Sequence, residues 1–170
     1  VKIEEAAARN AAGTPIVELN GAAAGAGVDG LHFAAGSSGG TVRGLVINRF
    51  SGDGLFIDGV SNIAVQGNWI GLDATGSTAA GNGERGIFAV NGSGHQIAGN
   101  VISGNTNHGI LFGNVVNSVI AGNLIGLNAA GTAAIANAGG GVYINSANNT
   151  IGGATAAARN VISGNGGAGI

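Results

Sequence analysis

Four residues that could do acid–base chemistry stand at one place in this chain, each just before a glycine. Asp29, Asp53, Arg85 and His108 precede Gly30, Gly54, Gly86 and Gly109, and the series runs on as Gly140 and Ala168. Glu84 and Asp58 lie close by in sequence. A carboxylate, a guanidinium and an imidazole on neighbouring turns of one scaffold could cleave a polysaccharide by general acid–base catalysis. Asp53, Arg85 and His108 are therefore the catalytic candidates. The plainer expectation makes them solvated turn residues, with an Asp53–Arg85 surface pair contributing under about 1 kcal/mol. Asp73 is the calcium candidate, but one carboxylate in a short loop falls short of the usual ligand count, and its counterpart in the chain is Asn128. There is no cysteine, hence no thiolate site, and no zinc spacing, phosphate loop or Ser/His/Asp set. No metal or cofactor is expected. His32 and His95 read as exposed polar residues rather than ligands. Asn91-Gly92-Ser93 and Asn148-Asn149-Thr150 match the glycosylation acceptor pattern.

The elements that would position such residues are visible as a repeat. The stretch IAGNVISGNTNHGILF at 97–112 returns in the same order from Val65 to Ile87 and from Ile120 to Ile144, and in part from Asn160 to Ile170. The glycine that opens each apolar pair falls at 30, 54, 86, 109, 141 and 169, with gaps of 24, 32, 23, 32 and 28. Gly54 and Gly109 are 55 residues apart, and so are Gly86 and Gly141. The unit is thus a coil of about 23 residues alternating with one that carries a nine-residue insertion, at 71–82 and 126–137. A last insertion, Ala154–Arg159, precedes Asn160 instead. A period of this size indicates a solenoid. Short β-branched segments between Gly and Asn, without a 3.6-residue period, make it a parallel β-helix rather than a helical or leucine-rich repeat.

Stacked coils make columns. Val42, Val65, Ile97, Ile120 and Ile151 form one apolar column, and Ile47, Ile70, Ile102, Ile125 and Ile162 another. Leu31, Leu55, Ile87, Ile110 and Val142 form a third, with Phe33, Ile57, Ala89, Phe112 and Ile144 two residues on. Asn68, Asn100, Asn123 and Asn160 make an amide ladder headed by Leu45. Asn82, Asn105, Asn137 and Asn165 make a second, headed by Phe50. An Asn at a turn tolerates left-handed backbone and bonds to neighbouring backbone. Asn100 is expected to matter more to stability than Ser103. Alternation places His32, Phe56, Phe88, Leu111 and Tyr143 in an outward column. Its rings, His32, Phe56, Phe88 and Tyr143, are the binding candidates, either for sugar rings or for a partner's apolar patch, against the plainer reading of cross-coil stacking.

The segments VRGLVINRFSGDGLFI, QGNWIGLD and AARNVISGN resemble the right-handed parallel β-helix repeats of the pectin-lyase-like superfamily, in particular those of large bacterial surface and secreted adhesin-like proteins. The resemblance covers roughly residues 16–170. It implies an extracellular or cell-surface solenoid and no activity, since neither catalytic set of the superfamily's lyases and epimerases can be placed on this chain.

The expected fold is all-β, a right-handed parallel β-helix of about six coils. Residues 1–40 form an N-terminal cap and first irregular coil, with a short capping helix over Glu4–Arg9. Residues 41–170 form the coils of the 55-residue two-coil super-repeat, within the same structural domain. The 36 Gly, 8% charged residues and net charge of −2 give no reason to expect nucleic acid, and no run is apolar and long enough to enter a membrane as a helix. The functional expectation is a structural or adhesive segment that binds carbohydrate or a surface partner. The alternative is a polysaccharide-active lyase or hydrolase, or its non-catalytic remnant. Partners would also include further β-helix coils, or a second copy meeting the open C-terminal end around Ile170.

Overall fold

The computed structural model describes the backbone of Lys2–Glu4 and residues 14–170. Strands of two to four residues suit segments such as Val101–Ile102 and Leu55–Asp58, where β-branched or large apolar residues end abruptly at Gly or Asn. The strands assemble into three parallel sheets, of six, six and five strands. Each strand pairs with the one three places on in the chain, so one coil contributes one strand to each sheet. The fold is a parallel β-helix.

Its register is the one the columns demand. In the first sheet Val42 pairs with Val65, Val65 with Ile97, Ile97 with Ile120, and Ile120 with Ile151. In the second sheet Ile47, Ile70, Ile102, Ile125 and Ile162 stack in line. In the third, Leu55 pairs with Ile87, Ile87 with Ile110, and Ile110 with Val142. Those inward columns fill one continuous core, and a fully buried member such as Ile97 or Phe112 contributes roughly 1.5–3 kcal/mol. The N-terminal region joins the same sheets: Lys2–Glu4 lies against Thr41–Arg43, Val17–Asn20 against Leu45–Asn48, and Leu31–Phe33 against Leu55–Asp58. Glu4 is therefore strand rather than the start of a helix. The rest of the expected capping helix, residues 5–9, lies outside the described residues.

Corners between sheets need side chains to satisfy backbone groups that no ladder reaches. At one corner the Asn68 N–H donates to Oδ1 of Asn100 at 2.9 Å, and Nδ2 of Asn68 donates to the same oxygen at 3.0 Å. Asn100 treats Asn123 alike, at 2.9 and 3.0 Å, and Asn123 treats Asn160 alike. Leu45 heads the ladder by donating its N–H to Asn68. A second ladder runs Asn82, Asn105, Asn137, Asn165, each amide donating to the next at 2.9 Å, headed by the N–H of Phe50.

A third corner uses the same device with mixed residues. The Ile63 N–H donates to Nδ1 of His95 at 3.2 Å, the His95 N–H to Oγ of Ser118 at 2.9 Å, and the Ser118 N–H to Oδ1 of Asn149 at 3.0 Å. His95 is therefore not the exposed residue its polarity suggests. It is fully buried, its ring edge-on to Phe112 at 6.2 Å, because this position must supply an acceptor from inside the corner.

The nine-residue insertions fold back over the outer side of the second sheet. Each closes through one antiparallel bridge, Leu72 to Ala79 and Leu127 to Ala134. Asp73 and Asn128 occupy equivalent places. Asp73 Oδ1 accepts the hydroxyl of Thr75 and the N–H groups of Ser77 and Thr78, while Asn128 Oδ1 accepts the N–H groups of Thr132 and Ala133. The first loop lies on Trp69: a Cβ on Gly76 would fall 2.6 Å from that ring. The two loops touch, with the Ala129 N–H donating to the Gly76 carbonyl at 2.8 Å. Under them Leu72 is fully buried and Leu127 nearly so. Ser103, expected to be a mild site, is fully buried as well. Its hydroxyl donates to the Leu127 carbonyl at 2.7 Å and accepts the Gly126 N–H at 3.0 Å, tying the second loop to the coil beneath it.

Candidate binding face

The third sheet carries the residues that could meet a ligand. Strand alternation sends Leu55 and Ile57 inward, which turns Phe56 out, and the register then fixes its neighbours. His32 pairs with Phe56, Phe56 with Phe88, Phe88 with Leu111, and Leu111 with Tyr143, as the alternation requires. The row is uneven in its geometry. His32 and Phe56 stack with centroids 4.7 Å apart, and Phe56 and Phe88 stack 5.1 Å apart and within 9° of parallel. The Arg85 guanidinium lies 3.9 Å above the Phe88 ring and closes that end of the stack. Ring faces in this stretch are therefore spent on one another, and Phe56 and Phe88, both half-buried, offer their edges outward. Leu111 interrupts the rings. Beyond it Tyr143 is 47% exposed and meets His108 edge-on at 5.6 Å. A hollow of about 560 Å³ beside this pair is lined by Gly139, Gly140, Gly167 and Ala168, where earlier coils carry larger side chains.

The catalytic candidates run along the edge of the same face. Successive coils do bring Asp29, Asp53, Arg85 and His108 into one column: the Asp53 N–H donates to Oδ1 of Asp29 at 2.7 Å, the Arg85 N–H to Oδ1 of Asp53 at 2.8 Å, and the Gly86 N–H to the His108 carbonyl. The Asp53–Arg85 pair is not the solvated pair expected at a turn. Asp53 is 5% exposed and receives the Arg85 Nε at 2.9 Å. Burial pushes the Asp53 carboxyl above its usual range, opposed by the hydrogen bonds and charge of Arg85. The His108 side chain turns to Oδ1 of Asn107, 2.6 Å from its Nδ1. The carboxylate is thus held by a guanidinium and a backbone N–H, a structural arrangement that fixes Arg85 over Phe88. Glu84 stands 3.8 Å from the far side of Arg85, and His32 lies 4.0 Å from Asp58.

Asp73 spends its oxygens on its own loop. Burial acts to raise its pKa, but hydrogen bonds from Thr75, Thr78 and Ser77 outweigh that and leave it lowered. Among the described residues no group of three or more His, Cys, Asp or Glu could hold a metal ion.

Two features escape a residue-type reading. The mixed corner of His95, Ser118 and Asn149 is one, although 63, 95 and 118 keep the 32 and 23 spacing of the glycines. The other is a second outward row, Val46, Trp69, Val101 and Leu124, on the second sheet. It is signalled by an apolar residue just before each core Ile of that sheet, as in NWI, NVI and NLI.

The chain matches no protein-family model, no curated protein and no solved structure.

Proposed function

We propose that this chain is a structural, adhesive segment of a secreted or cell-surface protein, in which the β-helix supplies length and rigidity and the third sheet supplies a lateral contact surface. The observation that carries the reading is the difference between the two outward rows. Both inserted loops lie on the second sheet, whereas His32, Phe56, Phe88, Leu111 and Tyr143 remain half-buried to exposed along five successive coils. An apolar row of that length on a regular surface is what a binding partner uses. The edge-on rings suit the apolar face of a polysaccharide or protein partner laid across them, with Tyr143 the one ring of the row standing apart from the stack. The resemblance of the coils to pectin-lyase-like surface repeats supports the extracellular placement. The test is a glycan array, with whole bacterial cells as a second target, for the parent, Phe56→Ser/Phe88→Ser and Tyr143→Ser. The reading expects binding by the parent and its loss in the variants with the fold intact. Unchanged binding in all three would move the contact surface elsewhere.

A further inference from the structure

His95 accepts the Ile63 N–H at Nδ1, which places the proton of the neutral ring on Nε2. Nε2 is buried without a hydrogen-bond partner. It points where a Cβ on residue 92 would stand, 2.7 Å away, and the Val60 carbonyl crowds the same spot, so the glycine at 92 makes room for the ring. The corner is closed on every side by uncharged groups: Ile63 and Val60 on the preceding coil, Gly92 on its own, and Ser118 and Phe112 on the next. Among the described residues no acid or cation faces the ring.

A second proton can enter only at Nδ1. It would remove the acceptor of the Ile63 N–H and set two N–H groups against each other in a buried corner. We propose that His95 is an acid-sensitive pin, whose protonation breaks the coil-to-coil bond to Ile63 and opens this corner while the two asparagine corners, which hold no titratable group, stay closed. The energetics agree in sign. Burial lowers the ring's pKa from 6.5 to about 4 in the folded protein. The unfolded chain therefore takes up a proton near pH 6.5 that the folded chain refuses until about pH 4, and stability falls as pH drops through that window. A shift of this size lowers the folded-to-unfolded ratio by on the order of a hundredfold. Asp53, whose pKa is raised, acts in the opposite direction, and Asp73, whose pKa is lowered, loses its contribution only below the ordinary carboxylate range.

The informative variant is His95→Asn. Asn149, in the same column, accepts the Ser118 N–H and donates Nδ2 to the Val115 carbonyl at 2.7 Å. Val60 stands to Ile63 as Val115 does to Ser118, so an Asn at 95 keeps the acceptor and gains a partner for its donor. Urea melts at pH 7, 5.5 and 4.5 should show the parent losing stability across the window and the variant losing far less. In the folded parent, the His95 ring should titrate far below 6.5 by NMR, with the Ile63 amide exchanging faster as it does, and these signals decide the matter if the variant does not fold. A parent His95 that titrates near 6.5 while the protein stays folded, or a variant with the parent's pH dependence, would overturn the proposal.

Discussion

On the second sheet, Val46, Trp69, Val101 and Leu124 lie beneath loops that the chain inserts every other coil; on the third, His32, Phe56, Phe88, Leu111 and Tyr143 carry no such cover among the described residues. Val46 is fully buried and Val101 is 6% exposed, with Trp69 and Leu124 half-buried beside them, whereas on the third sheet Phe56, Phe88 and Leu111 are half-buried, His32 is exposed and Tyr143 is 47% exposed. The two rows have the same origin, an outward position that repeats once per coil. What differs is whether the chain spends nine residues to cover it. Covering turns an outer row into a small second core that includes Leu72 and Leu127. Leaving it open makes a surface available to another molecule, and on the third sheet the rings steady themselves by stacking and by the Arg85 guanidinium instead.

The comparison can be broken most severely by removing the cover. Deleting Leu72–Ala80 leaves Asn68-Trp-Ile-Gly-Gly-Asn82, the spacing of Asn100-Val-Ile-Ser-Gly-Asn105, which already closes as a short coil. The coil should still form, but the loss of buried Leu72 and the exposure of its row should cost at least about 4 kcal/mol and promote association, read by urea melts and light scattering.

Next comes the corner that joins the covered second sheet to the first, between Gln96–Ala98 and Val101–Ile102. Asn100→Ala strands the Asn68 N–H and takes one partner each from the Asn68 amide, which keeps the Val42 carbonyl, and from the Val65 carbonyl, while Oδ1 of Asn123 keeps the backbone N–H of residue 100, and should cost roughly 2–3 kcal/mol in urea melts. Ser103→Ala should still cost less, because it strands only the Leu127 carbonyl, the Gly126 N–H keeping the Ile102 carbonyl as acceptor, but its burial narrows the gap that residue type suggests. Equal losses would show that the ladder adds nothing beyond an ordinary buried hydroxyl.

A smaller pair of changes sets the covered side against the open one. Gly104 has φ of 78° and lies under Ala79 of the first loop, where a Cβ would stand 3.2 Å from that methyl and 2.8 Å from the Gly71 carbonyl. Gly104→Ala should cost about 1–2 kcal/mol through backbone strain. Gly113, on the open sheet, would place its Cβ at an ordinary 3.4 Å from Val90, so Gly113→Ala should be neutral or stabilise by about 0.5 kcal/mol. Equal thermal shifts would mean that neither the positive φ of Gly104 nor the loop above it constrains that position.

Smallest is the effect of the open row on the fold itself. Phe56→Ser with Phe88→Ser removes stacked pairs contributing about 0.2–1 kcal/mol each, with some added loss of half-buried surface, and should leave the circular dichroism spectrum unchanged.

Much of this fold is legible in the sequence, because a coil that must bury the same positions each turn repeats its residue types. The Ile columns, both Asn ladders and even their imperfect heads, Leu45 and Phe50, follow from counting. His95 is not legible by type: burial there depends on what the corner lacks, an acceptor for Ile63, and a histidine, a serine and an asparagine each supply one. The Asp53–Arg85 pair is misread for a related reason, since a turn position on a stacked coil is covered by the coils on either side. The ring stack is legible as a row but not in its orientation, which depends on rotamers that place faces together and edges outward.

The sequence holds a single tryptophan, and it is Trp69, under the first loop. Acrylamide quenching of its fluorescence in the parent and in the Leu72–Ala80 deletion therefore tests most directly whether the chain covers one row and leaves the other open. The parent should be shielded and emit at shorter wavelength, and the deletion should be quenched several-fold more strongly while remaining folded. Equal quenching in the two folded proteins would contradict the claim that the inserted loops are a cover.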